Sequence, residues 1–266
     1  MPQSILDCGS YLVELDAGTQ NNGFTLDSAS KGVLGGVNYV LGGVAEFFDV
    51  TANVFSVNIF RGRRDWEGKI EPGQCTLQLF DPLGYFTVTN SASPYWNAAR
   101  GRLGFEPTRR MRVSRDGWYL FVGQIVDYSQ QVTIQNQSII TISGSDDLLS
   151  LNNKVLLAHT PVAQKSGARV GAVLSRAEVG LFTGVGERSL AVGEANLGAA
   201  PVEAGVSVKD YLDRVNNSEY GRIFMSRSGV LNFDSRVGRE LDGVDVAFTH
   251  AEGTGIPFNA FEIAYS

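Results

Sequence analysis

Apolar and polar positions alternate twice between residues 54 and 86. In the first run Phe55, Val57 and Ile59 fall on one side of an extended chain and Ser56, Asn58 and Phe60 on the other. In the second, Cys75, Leu77 and Leu79 alternate with Thr76 and Gln78. A period of two predicts strands with one buried face. Between them Arg61-Gly62-Arg63-Arg64-Asp65 and Glu71-Pro72-Gly73 carry turn residues and solvated charge, and Asp81-Pro82-Leu83-Gly84 closes the stretch. The pattern predicts a β-arm or long hairpin over about residues 54–81. A further strand is expected at 11–16, broken by Gly18 and by the turn signal Asn21-Asn22-Gly23. Arginines alternate with apolar residues at 110–114, as in a half-exposed strand. After the turn Asp116-Gly117 comes the strongest strand signal, 118–128. It is apolar on both faces up to Gly123, so it is expected in the centre of a sheet and covered on both sides. Residues 138–143 supply its partner. The glycine-punctuated stretch 24–51 reads as short β pieces between tight turns or as an arm that orders on a neighbour. Ser93-Pro94 reads as the N-cap and first residue of one or two helical turns.

The pattern changes at Gly144. A short helix is expected from Asp146-Asp147-Leu148-Leu149, and Val170, Val173, Leu174 and Ala177 mark an amphipathic helix over 167–179 capped by Ser166. After a Gly- and Ala-rich loop with a short strand near Ser189, Ser207 is expected to cap the best helix, with Asp210 in a capping-box arrangement. Its buried stripe is Val208, Tyr211, Leu212 and Val215, and Gly221 ends it. A hairpin follows, 222–226 and 230–234, turning at Ser228-Gly229, and two more strands are expected within 237–266. The fold class expected is mainly β with a smaller α+β part: a tube-like antiparallel β-barrel or sandwich over 1–144, a helix-and-hairpin subdomain over 145–236, and returning strands to the end.

Three of these segments carry a resemblance. The strand ending in Arg61-Gly62-Arg63, an aromatic-and-Glu spacer, and then Pro72-Gly73-Gln74-Cys75-Thr76-Leu77-Gln78-Leu79-Phe80-Asp81-Pro82 resemble the minor tail and baseplate-hub proteins of long-tailed bacteriophages. Phe121-Val122-Gly123-Gln124-Ile125-Val126 is similar to the strand that closes the first tube-like barrel of that family. The helix-then-hairpin, with Ser207, Val208, Asp210, Tyr211 and Leu212 leading to Gly221-Arg222-Ile223-Phe224 and Gly229, resembles its α+β subdomain. The matches cover roughly residues 32–236. The resemblance implies a structural part of the tail tip, in the virion and assembled in the host cytoplasm. There a ring of copies would join the tail tube to the tip and line the DNA channel. Its partners would be copies of itself, a trimer before a hexamer, the tail-tube or distal-tail protein, other tip proteins, tape-measure protein, and DNA in transit. Hubs of the family continue into a second tube-like barrel where this chain stops at Ser266, so a short version or a second chain supplying the remainder is expected. A distal-tail-type hexameric ring and a carbohydrate- or receptor-binding tail module, with Trp66, Trp96 and Trp118 as platform, are the alternatives.

Composition narrows the rest. The chain has 266 residues, 43% of them hydrophobic, with 31 glycines, a net charge of −6 and a pI near 5.0. That balance argues against a general nucleic-acid binder. The arginine-rich stretch 100–115 lacks interleaved stacking aromatics, so it is read as a half-exposed strand, a subset of whose arginines pair with acidic residues of another subunit. Two cysteines, Cys8 and Cys75, are expected as free thiols. Met1-Pro2-Gln3-Ser4 lacks the apolar core of a signal peptide and no apolar run approaches a membrane span, so a soluble, cytoplasmically made protein without membrane insertion is expected. His159 and His250 have no ligand-spaced partners, and no nucleophile motif, Walker loop or dinucleotide fingerprint occurs. No catalytic residue, cofactor or metal is therefore expected. Function is expected at interfaces, on Arg61, Arg63, Arg64 and Trp66 of the arm and Arg109, Arg110 and Arg112 of the basic strand.

Overall fold

Alternating apolar residues need a common surface on which to bury, and here they share one sheet. The computed structural model of the chain describes residues 10–18, 46–62, 70–98, 100–132, 138–184, 186–237, 248–249 and 256–257. Its principal strands are β1 (Tyr11–Asp16), β2 (Phe47–Asp49), β3 (Val54–Gly62) and β4 (Glu71–Asp81). The short strands β5 (Trp96–Asn97) and β6 (Arg102–Leu103) form a separate pair, and β7 (Arg110–Arg115), β8 (Trp118–Val132) and β9 (Ser138–Ser145) complete the sheet. Its order is β2-β1-β7-β8-β9-β4-β3, antiparallel throughout. The expected long hairpin is present as β3 paired with β4, and its connecting residues 63–69 lie outside the described residues. β4 lies between β9 and β3, and β3 is the outermost strand on that side.

One face of this sheet is the first core. Val13, Leu15, Cys75, Leu77, Leu79, Met111, Val113, Phe121, Ile125, Ile140 and Ile142 are each at most 1% exposed. Burying such a side chain is worth about 1.5–3 kcal/mol. Aromatic rings from the segment after β4 close the far end: Phe86, Tyr95 and Phe105 pack with centroids 4.8–5.6 Å apart, and Phe48 meets Tyr95 edge-on. This packing also explains why Ser93 starts no helix. Tyr95 is drawn into the core, Ser93 Oγ donates to the Tyr85 carbonyl and accepts the Tyr95 amide, and the chain continues as β5. β8 sits in the middle of the sheet as expected, but its face opposite the core is covered only in part: Val122 and Gln124 are half-buried, while Trp118 is 78% exposed. The expected barrel does not close, because β2 and β3 each pair on one side only among the described residues.

From α1 (Leu148–Asn152) onward a second core forms. It gathers Leu148, Leu151, Val170, Val173, Leu174, Val208, Leu212, Ile223, Leu231 and Phe233. Its elements are β10 (Gln164–Lys165), α2 (Ser166–Leu174), β11 (Arg188–Leu190), β12 (Asn196–Leu197), α3 (Val208–Glu219), β13 (Arg222–Met225) and β14 (Leu231–Asp234). β13 and β14 are the expected hairpin, and β11 adds to β14 in parallel. The predicted stripe of α3 is buried and Ser207 stands at the predicted N-cap, but the expected capping-box bond is not made. Val208 N, the first helical amide, donates to the Lys154 carbonyl of an adjoining segment. The left-handed residue at the C-terminus is Tyr220 (φ 55°), and Gly221 is needed for a different reason: a Cβ there would lie 2.4 Å from the Asp234 carbonyl oxygen. α2 ends at Leu174, short of the expected 179, and Ser166 is its first residue rather than its cap. The last described pieces, β15 (Phe248–Thr249) and β16 (Ile256–Pro257), pair in parallel with each other. The rest of the predicted terminal strands, and the glycine-rich stretch up to residue 45, lie outside the described residues.

Candidate assembly surface

The sheet has one apolar face, one polar face and two edges, and the last three can meet other molecules. Cross-strand register builds the polar face. Asp127, Ser143, Thr76 and Asn58 form one row across β8, β9, β4 and β3, and Ser129, Thr141, Gln78 and Ser56 form the next. Neither row contains lysine or arginine. Toward the other end of this face the second unit sits against the sheet: Gln124 Nε2 donates to Ser150 Oγ at 3.2 Å, and a Cβ on Gly229 would touch Val122.

The β3 edge is apolar where an edge strand is ordinarily blunted by charge. Phe55 is 57% exposed and Val57 36%. Phe55 is the extra residue at a register shift between Val54 and Ser56. Together with Tyr11, Val13, Val54, Ile59 and Leu120 these side chains line an apolar groove of about 480 Å³ where the sheet fails to close.

Of the arginines expected at an interface, three have acidic partners in the same chain. Arg112 grips Glu14 with two hydrogen bonds of 2.6 and 2.7 Å, and its guanidinium lies 3.8 Å from the centre of the Phe47 ring. The hydrogen bond to Glu14 holds the Arg112 pKa above its ordinary value. Arg110 Nη1 donates to both oxygens of Asp147 at 2.6 and 2.8 Å, and Arg109 approaches Asp16 at 3.7 Å. Arg61, at the end of β3, donates to the Met225 carbonyl of β13, and burial lowers its pKa. Arg63, Arg64 and Trp66 lie outside the described residues. Glu14, Asp16 and Asp147 were not legible as partners: Glu14 and Arg112 are 98 positions apart, and only the pairing of β1 with β7 sets them side by side.

His159 hydrogen-bonds the Leu157 carbonyl at 2.9 Å, and among the described residues no three His, Cys, Asp or Glu side chains cluster to hold an ion. Cys75 is a free, buried thiol whose pKa burial pushes up to about 12, which makes it inert rather than nucleophilic. No described helix is long and apolar enough to cross a membrane.

No family model matches the chain, and no curated protein matches it. Solved structures do. A tail protein from Neisseria meningitidis superposes with a TM-score of 0.51 at 11% identity, over 84% of this chain and 50% of that one. The 43 kDa tail protein of a Shewanella oneidensis prophage gives 0.49 at 13% identity, over 85% of this chain and 54% of that one. A Listeria monocytogenes prophage tail protein gives 0.47 at 8% identity, over 90% and 53%. At 11% identity the first likeness is one of fold, and the chain spans about half the length of the structures it matches.

Proposed function

We propose that this chain is a structural, non-enzymatic subunit of a bacteriophage tail. In this reading it acts at the distal tip of the virion, as a hub or minor tail protein assembled in the host cytoplasm. Copies of the chain close a ring, three before six, that joins the tail tube or distal-tail protein to the other tip proteins and surrounds the channel taken by tape-measure protein and DNA. The observation that carries the reading is the open antiparallel sheet: its two edges each pair on one side only among the described residues, on a fold shared with a solved tail protein. Unpaired edges seek strands, and a heterologous edge-to-edge contact repeated by rotation closes a ring. The two polar rows without lysine or arginine suit the inner wall of such a ring, since a surface poor in cations does not hold passing phosphate. The segment from Arg61 through Arg63, Arg64 and Trp66 is assigned to contact with a neighbour, and residues 1–144, 145–236 and 237–266 to a tube-like domain, a hub subdomain and returning strands.

Mass photometry of the purified chain, alone and with tail-tube protein, tests this. Three copies per particle, lost in Val57→Lys with an unchanged melting temperature, is the expected result. A monomer that ignores tube protein overturns it. Six copies would favour the distal-tail type of ring. A receptor-binding reading is favoured by one observation, the exposure of Trp118 and Tyr11 (78% and 44%) on one side of the hairpin turn. Binding on a glycan array that is lost in Trp118→Ala would support it.

A further inference from the structure

The sheet fails to close between β1 and β3, and its hydrogen-bond phase shows which main-chain groups face the opening. Successive residues of an antiparallel strand bond to opposite sides. Asp146 N donates to the Gly73 carbonyl, so Gly73, Cys75 and Leu77 of β4 bond toward β9, and Gln74, Thr76 and Gln78 toward β3. The residues they meet are Phe60, Asn58 and Ser56, which leaves the amides and carbonyls of Val57 and Ile59 pointing out of the sheet. The other bank follows the same logic. On β1, Asp116 N reaches the Ser10 carbonyl on the β7 side, whereas Val50 N reaches the Val13 carbonyl, and the Val13 amide reaches Thr51 Oγ1, on the β2 side. Tyr11, two residues before Val13, shares its side, but β2 pairs only with Glu14, Leu15 and Asp16. The main-chain groups of Tyr11, Val57 and Ile59 that face the opening thus have no partner among the described residues.

The space between these two banks is the apolar groove of about 480 Å³. Buried Val13 and half-buried Leu120 line it, and Thr51 stands where the chain crosses from β2 to β3. None of the described residues that line it is charged. A charged side chain entering there would give up water and meet no counter-ion. A segment lying in the groove finds unpaired main-chain groups on both flanks. The outer strand of a folded sheet has one free edge to offer them, whereas an extended arm has two.

We propose that this groove is a strand-addition slot. It takes one extended arm of another protein subunit, uncharged along the part that enters, which bonds Val57 and Ile59 along one edge and Tyr11 along the other. Main-chain pairing holds the arm, and its alternate side chains, where apolar, turn onto Val13 and Leu120. Phe55, 57% exposed at the bulge of β3, and the ring of Tyr11 gain cover from it. The inference goes beyond the meeting of folded edges in a ring, and it requires neither a ring nor a copy number.

The probe is the peptide acetyl-KGTVTVTGK-amide, whose lysines keep it soluble and lie outside the slot. It is titrated to millimolar concentration against the full chain, with hydrogen exchange read amide by amide by NMR. Exchange of the Tyr11, Val57 and Ile59 amides is expected to slow about tenfold, while Ser56 and Asn58, already bonded to β4, stay as they were. The peptide acetyl-KGTETKTGK-amide, equal in net charge, should leave all of them unchanged. Val57→Pro removes an N–H that bonds nothing in the chain, at an edge where proline is tolerated. It should keep its melting temperature and lose the response at Ile59 and Tyr11. Should that variant fail to fold, the first peptide with both valines N-methylated decides instead, and protection of both banks by it overturns the proposal. So does silence toward the first peptide, an equal response to the second, or slowing at Val57 and Ile59 with Tyr11 unmoved. A monomeric chain that takes the peptide refutes the ring and leaves the slot standing.

Discussion

Glu219 sits at the C-terminal end of α3, where the helix dipole disfavours an anion, and it is fully buried. It is tolerated because its carboxylate fastens α3 to two other segments. Oε2 accepts Ser166 Oγ at 2.6 Å, the Ala195 amide at 2.8 Å and the Glu194 amide at 2.9 Å, and Oε1 accepts the Glu194 amide at 3.0 Å. Glu219→Ala strands the Ser166 hydroxyl and the Glu194 and Ala195 amides, and removes the acceptor used by the Arg236 backbone. Ser166, itself 0% exposed, has no route to water, while the Glu194 and Ala195 amides are partly reachable. At about 1–3 kcal/mol for each buried donor left unsatisfied, discounted for the two that water can reach, a loss of about 3–5 kcal/mol is expected. That is a large part of the roughly 5–15 kcal/mol that holds a domain folded. Urea unfolding followed by far-ultraviolet circular dichroism, with α3 amide exchange as local readout, measures it. A loss below about 1 kcal/mol refutes the reasoning, because water must then replace every bond the carboxylate makes. The acid limb gives a second check. Burial by itself would raise the Glu219 pKa, but the hydrogen bonds from Ser166, Ala195, Glu194 and the Arg236 backbone together hold it below 4.5. A depressed folded value contributes stability that is present above the unfolded pKa and lost as pH falls through the folded one. Stability should therefore decline as pH falls from 4.5, and less steeply in Glu219→Gln.

Arg112→Ala should lower stability by about 1–2 kcal/mol, since it removes a two-pronged, partly buried pair and a stacked cation; a double-mutant cycle with Glu14→Ala should recover about half of that as coupling energy. Gly73→Ala places a methyl 2.7 Å from Asp146 Oδ2 and should cost about 1–3 kcal/mol by thermal melting, with most of the loss disappearing in Gly73→Ala, Asp146→Ala. Cys75 should resist a thiol-reactive disulfide reagent in the folded protein and react only at the rate of unfolding, because burial holds it as the neutral thiol; rapid native labelling would contradict its placement in the core.

What the sequence determined by itself was local and periodic. Alternation at 54–60 and 75–79 was enough for β3 and β4 and for the buried face of β4, though not for β3, whose Phe55 and Val57 are exposed, and the 3.6-residue stripe of Val208, Tyr211, Leu212 and Val215 was enough for α3. The turn at Ser228-Gly229 was enough for the hairpin. These features depend on neighbours within a few positions, so the chain states them directly. Only the tertiary structure decided what depends on distant pairing. It joined the β3–β4 hairpin to β9 at one side of a seven-stranded sheet, gave Arg112 to Glu14 and Arg110 to Asp147, and withdrew Ser166 from its cap to serve Glu219. It also left the second face of β8 only partly covered, since the same apolar run suits a strand covered once or twice and only packing distinguishes them. Asp146 shows the limit most plainly. In the sequence it is one of two adjacent acids at a helix start, and its burial follows from Gly73 arriving on another strand 73 positions away. Periodicity fixes which way a side chain faces along its own element, and the sheet order fixes what it faces.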